Sequence, residues 1–367
     1  MATIFASPTG NDANSGAQLS PKTLRGAIAA AVAGDDVSAL PGNYTDATAN
    51  AESAFNPVAS GTAGARITIK SHVPRQARLI AANNSVLALG INGRSHITVR
   101  DFYVDGLLKG QNSSFLIYEN NEVVRGGIEY GDVSLHWHIA FTATTLDSVI
   151  RNNYCHSPGT GIGNASHNGA MIMVKTNSHR NVVENNEVDC GNNVIYNCYG
   201  QKGGGLEDNV WRYNVGRNGV TGFLGMGATN CTLESLRNVY YQNIIYNCDN
   251  CFELDHASRL WDIYNNTSYN CTRFLYDLRN ASGCPASNTD EELWNNLVVQ
   301  SAAAYDTGPG ATVSTFDDLL FSSNYNMFHN ITNMGRYNYA ASTIATLASW
   351  RTQTGFDLSS LTGDPLF

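Results

Sequence analysis

The feature of this sequence that most restricts its fold is a short motif, an apolar run ending in asparagine, that recurs through the centre of the chain. Examples are "NVVENNEVDC", "NVWRYNVGRN" and "VYYQNIIYNC". Neighbouring copies are 33, 28, 29, 23 and 30 residues apart, counted between Asn153, Asn186, Asn214, Asn243, Asn266 and Asn296. A repeat this short cannot bury its own apolar face, so copies must stack on one another.

Each repeat contains two or three short runs of β-branched and aromatic residues, separated by Asn, Gly or Ser, with almost no helical periodicity. This pattern predicts an all-β fold, a right-handed parallel β-helix whose inward Val, Ile, Leu and Phe form the core. We expect the recurrent asparagines to hold turns between sheets, because their side chains bond backbone groups and tolerate left-handed conformations. A β-propeller is the alternative, but its blades need about 40 residues and four strands each.

Both ends of the chain predict caps on a single domain that spans residues 1–367. At about 20–34 we expect an amphipathic capping helix, with Ser20 as N-cap, Pro21 in the first turn and Gly34 after the last turn. At about 340–367 we expect a C-terminal cap that contains a short helix around Ala345 to Arg351. Such caps protect the sheet edges at open coil ends from association.

Charge and hydropathy exclude some partners. The formal charge is −9 and the pI is about 5.4, which argues against binding to nucleic acid, because the sequence has no stripe of basic residues to contact phosphates. The sequence contains no run of about 20 apolar residues, so it predicts no membrane-spanning helix. The start "MATIFASPTG" leads straight into folded-looking sequence, so we expect that a signal peptide has been removed and that the protein is secreted. Eight cysteines, an even number, predict disulfides in such a protein.

Several stretches resemble known enzymes. "FASPTGNDANSG" and "TLRGAIAAAVAGDDVSALPGNYT" are similar to the opening of secreted pectate-lyase-like β-helix enzymes, and "ASWRTQTGFDLSSLTGDPLF" is similar to their usual ending. The central "QKGGGLEDNVWRYN" resembles the alginate lyase and chondroitinase B family, whose pattern Lys202, Asn209 and Arg212 to Asn214 match. The resemblance implies a polysaccharide lyase in which a lysine removes the proton alpha to a uronate carboxylate.

The chain departs from that family in two places. The next coil reads "GFLGMG" where the family has an assisting arginine, and the acidic calcium ligands that normally precede the lysine are not recognisable. We therefore expect a metal-independent enzyme without a cofactor, with calcium as the alternative.

The residues themselves direct attention to two of the five lysines. Lys175 and Lys202 are 27 residues apart, the length of one coil, so they should lie about 4.8 Å apart on successive rungs. If Ile172 and Val174 point inward, Lys175 faces solvent. Two ammonium groups so close disfavour each other's charge, which makes one of them available as a general base. Three glycines after Lys202 would let substrate approach, so Lys202 is the predicted base and Lys175 its electrostatic partner; solvated surface charge is the alternative.

Three histidines could border the same groove. His136 and His138 share one face of the strand in "SLHWHIAF", and His167 begins the strand that carries Lys175. A histidine near a lysine base could neutralise a substrate carboxylate or protonate the leaving oxygen. Metal binding and a purely structural role are the alternatives.

Further residues are predicted to bind substrate. Outward carboxylates, arginines that clamp uronates and tyrosines that stack on sugars make up this set, which is Glu253, Asp255, Arg180, Arg212, Arg217, Tyr199, Tyr213 and Tyr241. The first hypothesis is a secreted, monomeric polysaccharide lyase acting on an anionic polysaccharide, with alginate ahead of pectate and glycosaminoglycans. The alternatives are an inverting glycoside hydrolase using Glu253 and Asp255, and a non-catalytic carbohydrate-binding or phage-tail β-helix.

Overall fold

The computed structural model describes most of the chain, namely residues 1–50, 53–83, 87–128, 136–158, 170–191, 193–199, 205–226, 235–255, 258–277, 291–307, 320–337 and 342–365. Contacts divide it into two compact units, residues 1–174 with 178–188 and residues 175–177 with 189–367. That the whole chain is one domain stays a prediction. In the described part, no helix is long and apolar enough to cross a membrane.

The first unit consists of short strands and one helix. Its helix α1 spans Leu24–Ala30. Its strands in chain order are β1 (Thr3–Ala6), β2 (Asp36–Ala39), β3 (Gly42–Tyr44), β4 (Ile67–Ser71), β5 (Ala77–Ile80), β6 (Leu87–Asn92), β7 (Ile97–Arg100), β8 (Tyr103–Gln111), β9 (Ile117–Glu119), β10 (Glu122–Arg125), β11 (Gly127–Ile128), β12 (His136–Thr142), β13 (Val149–Arg151), β14 (Tyr154–Pro158), β15 (Ala170–Lys175, whose last residue belongs to the second unit), β16 (Val182–Glu184) and β17 (Glu187–Asp189, whose last residue does likewise).

These strands pair in parallel, coil on coil, in three sheets, except that β11 pairs antiparallel with β12. Sheet A has the order β1, β2, β4, β7, β9, β13, β16. Sheet B joins β3, β5, β8, β10, β14 and β17, and sheet C joins β6, β8, β12 and β15. One residue per coil fills each core level, as in the fully buried column Val99, Tyr118, Ile150 and Val183 of sheet A.

The second unit is built in the same way. Its helix α2 spans Leu347–Thr354. Its strands are β18 (Val194–Tyr199), β19 (Leu206–Glu207), β20 (Val210–Arg212), β21 (Val215–Arg217), β22 (Thr221–Met226), β23 (Ser235–Leu236), β24 (Val239–Tyr241), β25 (Ile244–Tyr246), β26 (Asn250–Asp255), β27 (Ser258–Arg259), β28 (Asp262–Tyr264), β29 (Thr267–Tyr269), β30 (Arg273–Asp277), β31 (Glu291–Trp294), β32 (Leu297–Thr307), β33 (Leu320–Asn324), β34 (Met327–Tyr337), β35 (Ser342–Ile344) and β36 (Leu361–Thr362).

Three long parallel sheets again enclose the core of this unit, and β19, β23 and β27 form a fourth, short parallel sheet. Sheet D is β20, β24, β28, β31, β33, and sheet E is β21, β25, β29, β32, β34, β36. Sheet F is β18, β22, β26, β30, β32, β34, in which β32 and β34 are long enough to join both E and F. The prediction of stacked parallel coils is therefore confirmed in each unit.

Aromatic rings fill the interior of the second unit. Tyr240 stacks on Trp261 with centroids 4.6 Å apart, and Phe223 stacks on Phe252 at 5.2 Å. All four side chains are buried, and each such pair contributes about 0.5–1.5 kcal/mol beyond its buried area. Gly225 is required beside this column, because a Cβ there would lie 1.6 Å from Trp261 Cη2.

Buried asparagines connect successive coils. In the second unit the backbone N–H and Nδ2 of Asn214 both donate to Oδ1 of Asn243, at 3.0 and 3.1 Å. The same pair of bonds repeats along the ladder Asn243, Asn266, Asn296 and Asn326, and in the first unit along Asn121, Asn153 and Asn186. The predicted turn-holding role is confirmed.

The ladder asparagines were also expected to adopt left-handed conformations, and this expectation is wrong by one residue. The left-handed residue is the one before each ladder asparagine, namely Asn120, Asn152, Asn185, Tyr213, Gln242, Asn265, Asn295 and Tyr325, with φ of 54° to 58°. The reason is that the ladder residue must direct its side chain inward along the stack, so the preceding residue makes the bend.

The ladder of the second unit ends on Asp357. Asn326 Nδ2 donates to this buried carboxylate at 3.0 Å, and its backbone N–H donates to Ser360 Oγ at 2.8 Å. Tyr305 Oη and Trp350 Nε1 also donate to Asp357, each at 3.0 Å. Trp350 lies on α2, so this carboxylate ties the C-terminal helix to the last coils.

The two helices differ in how well they were predicted. α1 begins at Leu24 with Thr23 as its N-cap, whose Oγ1 accepts from Gly26 N at 3.0 Å, so the predicted start at Ser20 and Pro21 is wrong. Ser20 is instead held by a bridge to Ala17, and the helix ends at Ala30, before Gly34. The C-terminal helix predicted around residues 345–351 is present as α2 over residues 347–354.

The cysteines described by the structure are Cys155, Cys190, Cys198, Cys248, Cys251 and Cys271, and all six are buried. No disulfide joins any two of these six. Disulfide formation therefore stays a prediction.

Replacing Asn243 by alanine should destabilise the protein by about 2–4 kcal/mol, because four buried hydrogen bonds are lost. Urea unfolding followed by circular dichroism measures the loss. The control is Asn247→Gly, which removes an exposed asparagine at φ 55° without backbone strain and should cost less than about 1 kcal/mol. Equal losses in both variants would contradict a stabilising role for the buried ladder.

Candidate active site

Lys175 and Tyr199 lie side by side on neighbouring coils of the second unit. Thr176 N donates to Tyr199 O at 3.0 Å, which places the ends of their strands at the same level. Lys175 Nζ lies 5.6 Å from the centroid of the Tyr199 ring, within range of a cation–π contact. Lys175 is only 4% exposed, so the expectation that it faces solvent is wrong.

Two of the predicted catalytic residues, Lys202 and His167, lie outside the described residues. His136 is described only through its backbone, as the first residue of β12. The proposed role of Lys202 as the base therefore stays a prediction, and so does its pairing with Lys175.

The phenol of Tyr199 is held in its protonated form. Burial raises its pKa, and the negative charge of Asp255 raises it further. The register Tyr199, Met226, Asp255 places these two groups in one row of sheet F, two rungs or about 9.6 Å apart. Tyr199 is thus suited to donate a proton rather than to accept one.

Glu253 lies two residues before Asp255 on the same face of β26. Its Oε2 accepts from Thr221 Oγ1 at 2.6 Å and from Asn250 Nδ2 at 2.8 Å. Glu253 and Asp255 are both buried, at 1% and 6% exposure. The predicted carboxylate pair therefore lies in sheet F, the sheet that also contains Tyr199.

A row of polar residues continues from Glu253 along sheet F and was missed from the sequence. In register with Glu253 follow Tyr276, Asp306 and Arg336. Asp306 accepts from Arg336 Nη2 at 2.6 Å and from Arg273 Nε at 2.7 Å. Two arginines on one carboxylate leave a net positive charge at this end of the sheet.

The sequence did contain a signal for this row. Glu253, Tyr276, Asp306 and Arg336 each follow a ladder asparagine, Asn243, Asn266, Asn296 and Asn326 respectively, by ten residues. Counting forward from the asparagine identifies positions on one face of sheet F.

Three predicted substrate-binding residues lie on another sheet of the second unit. Arg212, Tyr213 and Tyr241 belong to sheet D and its turn, where Arg212 Nη1 donates to Tyr241 Oη at 2.8 Å. Tyr213 packs edge-on against Tyr241 with centroids 5.7 Å apart. Arg217, on sheet E, is ion-paired with Asp189 at 3.0 Å. The structure does not bring these residues together with Lys175.

The remaining predicted residues belong to the first unit. His138 is fully buried on β12, with Nε2 3.3 Å from the carbonyl oxygen of His156. Arg180 is half-exposed and pairs with Asp147 at 2.7 Å. Sheet C also contains Lys109, which the sequence did not indicate as a site residue. Its side chain is only 1% exposed.

Among the described residues, no group of three or more His, Cys, Asp or Glu is placed to hold a metal ion. Whether the protein uses calcium stays untested, and the absence of a cofactor stays a prediction.

Known structures with a similar backbone are numerous, whereas no family model and no curated protein matches the chain. An exopolygalacturonase of family 28 from Yersinia enterocolitica matches with a TM-score of 0.63 and 12% identity, over 98% of this chain and 78% of that one. The chain has the right-handed parallel β-helix fold. An alginate lyase from Paenibacillus sp. str. FPU-7 matches this β-helix with a TM-score of 0.57 and 16% identity, over 81% and 95% of the two chains. A PL6 family polysaccharide lyase from Pseudopedobacter saltans matches with a TM-score of 0.55 and 14% identity, over 98% of this chain and 91% of that one.

Replacing Asp306 by asparagine should destabilise the β-helix by about 3 kcal/mol, because the carboxylate is 3% exposed and its removal leaves two guanidinium groups facing each other. Denaturant unfolding provides the measurement. Asp208→Asn is the matched control, since its pair with Arg237 is about half exposed on both sides and should contribute less than 1 kcal/mol. A loss at Asp306 no larger than at Asp208 would contradict a buried ion cluster.

The ionisation of Tyr199 should occur above the ordinary tyrosine value of about 10, because both burial and Asp255 favour the neutral phenol. Titrating the phenolate absorbance of the wild type against Tyr199→Phe isolates this group. Asp255→Asn removes a negative charge, so Tyr199 should then ionise at a lower pH than in the wild type. Circular dichroism over the same pH range controls for unfolding, and an unchanged or higher titration point would contradict the Asp255 contribution.

Proposed function

We propose that this protein is a carbohydrate-active enzyme, a polysaccharide lyase that cleaves a uronate polysaccharide by β-elimination. The observation that carries the proposal is the buried contact between Lys175, the last residue of β15, and Tyr199 of sheet F. In the reaction, Lys175 removes the proton at C5 of a uronate, and the C4–O4 bond breaks as the C4–C5 double bond forms. Tyr199, which its raised pKa keeps protonated, supplies a proton to the departing O4.

The substrate carboxylate must be neutralised for its alpha proton to become acidic enough to transfer. Arg273 and Arg336 supply a net positive charge on sheet F, four to six rungs from Lys175. At about 4.8 Å per rung these arginines are too far away to act on the reacting sugar. They are placed instead to bind carboxylates of sugars further along an anionic chain.

Two β-helix structures of similar backbone are named as an alginate lyase and a PL6 family polysaccharide lyase, which supports the lyase reading. Alginate is the first substrate of this proposal, followed by pectate and a glycosaminoglycan. Secretion, a monomeric state and independence from metal ions belong to the same proposal.

A glycoside hydrolase is the second candidate. Glu253 and Asp255 form a buried carboxylate pair on sheet F, and a family 28 exopolygalacturonase is among the structures of similar backbone. A hydrolase would release reducing ends without a double bond, with Glu253 and Asp255 as acid and base. The nature of the product therefore separates the two candidates.

Lys175→Ala should lower the rate on the preferred polysaccharide by at least about a hundredfold, because general-base catalysis contributes 10²–10⁴-fold. The assay follows the ultraviolet absorbance of the unsaturated product released from alginate, pectate or chondroitin. Lys70→Ala, which removes a lysine paired with Asp36 on sheet A, should keep the wild-type rate. Equal circular dichroism spectra of both variants show that folding is intact.

Two outcomes would contradict this assignment. If the wild type releases no unsaturated product from any uronate polysaccharide, the lyase proposal fails. If Lys175→Ala is fully active while Lys202→Ala is inactive, the base is Lys202.

A further inference from the structure

Cys248 and Cys271 occupy equivalent positions on two neighbouring coils of the second unit. They are 23 residues apart, and the paired residues on either side, Tyr246 with Tyr269 and Asn250 with Arg273, have the same offset. Thr272 N donates to the carbonyl oxygen of Cys248 at 3.0 Å, so the turn between these pairs is also in register. Their Cα atoms are therefore about one rung, or 4.8 Å, apart. A disulfide needs Cα atoms about 4.4–6.8 Å apart.

The thiols of this pair are in contact inside the core. Cys248 is 4% exposed and Cys271 2% exposed. Hydrogen bonds from the thiols of Cys248 and Cys251 hold the pKa of Cys271 well below its usual range. The same hydrogen bond to Cys271, together with burial, raises the pKa of Cys248. The thiols of Cys248 and Cys271 are thus in hydrogen-bonding contact with each other, which is the approach that a disulfide requires.

We propose that Cys248 and Cys271 form a disulfide between adjacent coils when the chain folds in the presence of a low-molecular-weight disulfide such as oxidised glutathione. The Cys271 sulfur loses its proton, attacks one sulfur of the oxidant and expels the first thiol. The Cys248 sulfur then attacks the mixed disulfide at Cys271, loses its proton and expels the second thiol. Two protein thiols are oxidised to one disulfide, and one oxidant disulfide is reduced to two thiols.

Cys251 is the competing partner, and register disfavours it. Cys251 is buried on β26 and its thiol also contacts Cys271. With the coil offset of 23 residues, however, the position facing Cys251 is Phe274, three residues beyond Cys271. A bond from Cys251 to Cys271 would therefore draw β26 out of its pairing with β30, whereas a bond from Cys248 spans one rung directly.

The test is to refold the full chain in a glutathione redox buffer and, in parallel, under reductant. Remaining thiols are alkylated, and the chain is digested with trypsin and a protease that cleaves before aspartate, which separates Cys248 from Cys251 at Asp249. Mass spectrometry should find the Cys248 peptide joined to the Cys271 peptide after oxidative refolding only. The wild-type thermal midpoint should fall when reductant is added.

Matched variants fix the pairing. Cys251→Ser should retain the cross-link and the reductant-sensitive midpoint, and Cys248→Ser should lose both. A wild-type cross-link that runs through Cys251, or a Cys271 that is alkylated after oxidative refolding, would overturn the proposal. Because peptide mapping of the wild type alone distinguishes these results, the test holds even if a variant does not fold.

Discussion

Register between neighbouring coils is the constraint on which both units depend. A parallel strand of three residues makes too few hydrogen bonds to fix its own alignment, and a slip of one residue would turn its apolar face to the outside. The buried asparagines prevent this slip, since each one bonds the backbone and the side chain of the equivalent residue one coil away. Their own polar groups stay satisfied, so a polar column is tolerated in an otherwise apolar interior.

Fixed register also explains how a repetitive fold can carry a specific site. The spacing of the ladder asparagines varies from 23 to 33 residues, yet the row ten residues after them stays aligned on sheet F of the second unit. Length differences must therefore fall elsewhere in the coil. Side chains on this face change chemistry from coil to coil, as Glu253, Tyr276 and Asp306 do, because the asparagine ladder fixes the register independently of them.

The coil architecture could be predicted from the sequence because asparagine spacing reports directly on stacking. Glu253 and Asp255 could be placed in the same column as Lys175 because counting back from the ladder asparagines gives equivalent positions on successive coils. Arg212 was expected to bind substrate beside them, but it lies two residues before its ladder asparagine and hence on sheet D. The sheet to which a residue belongs depends on how many residues separate it from the turn. Similarity of a local motif does not reveal that distance.

The charged partners of the site residues could not be predicted from the sequence, for a different reason. The charge of Asp306 is shared by Arg273 and Arg336, which lie 33 residues before it and 30 after it, and only the completed register brings them together. Likewise, the influence of Asp255 on Tyr199 crosses an intervening coil.

The asparagine ladder of the second unit also has a direction. Every side-chain amide from Asn214 to Asn326 donates toward the C-terminal end, so their dipoles add, with the positive pole at Asn326. Asp357 places a carboxylate at that pole, as acidic residues do at the positive end of a helix. The stack therefore has an electrostatic terminus as well as a steric one.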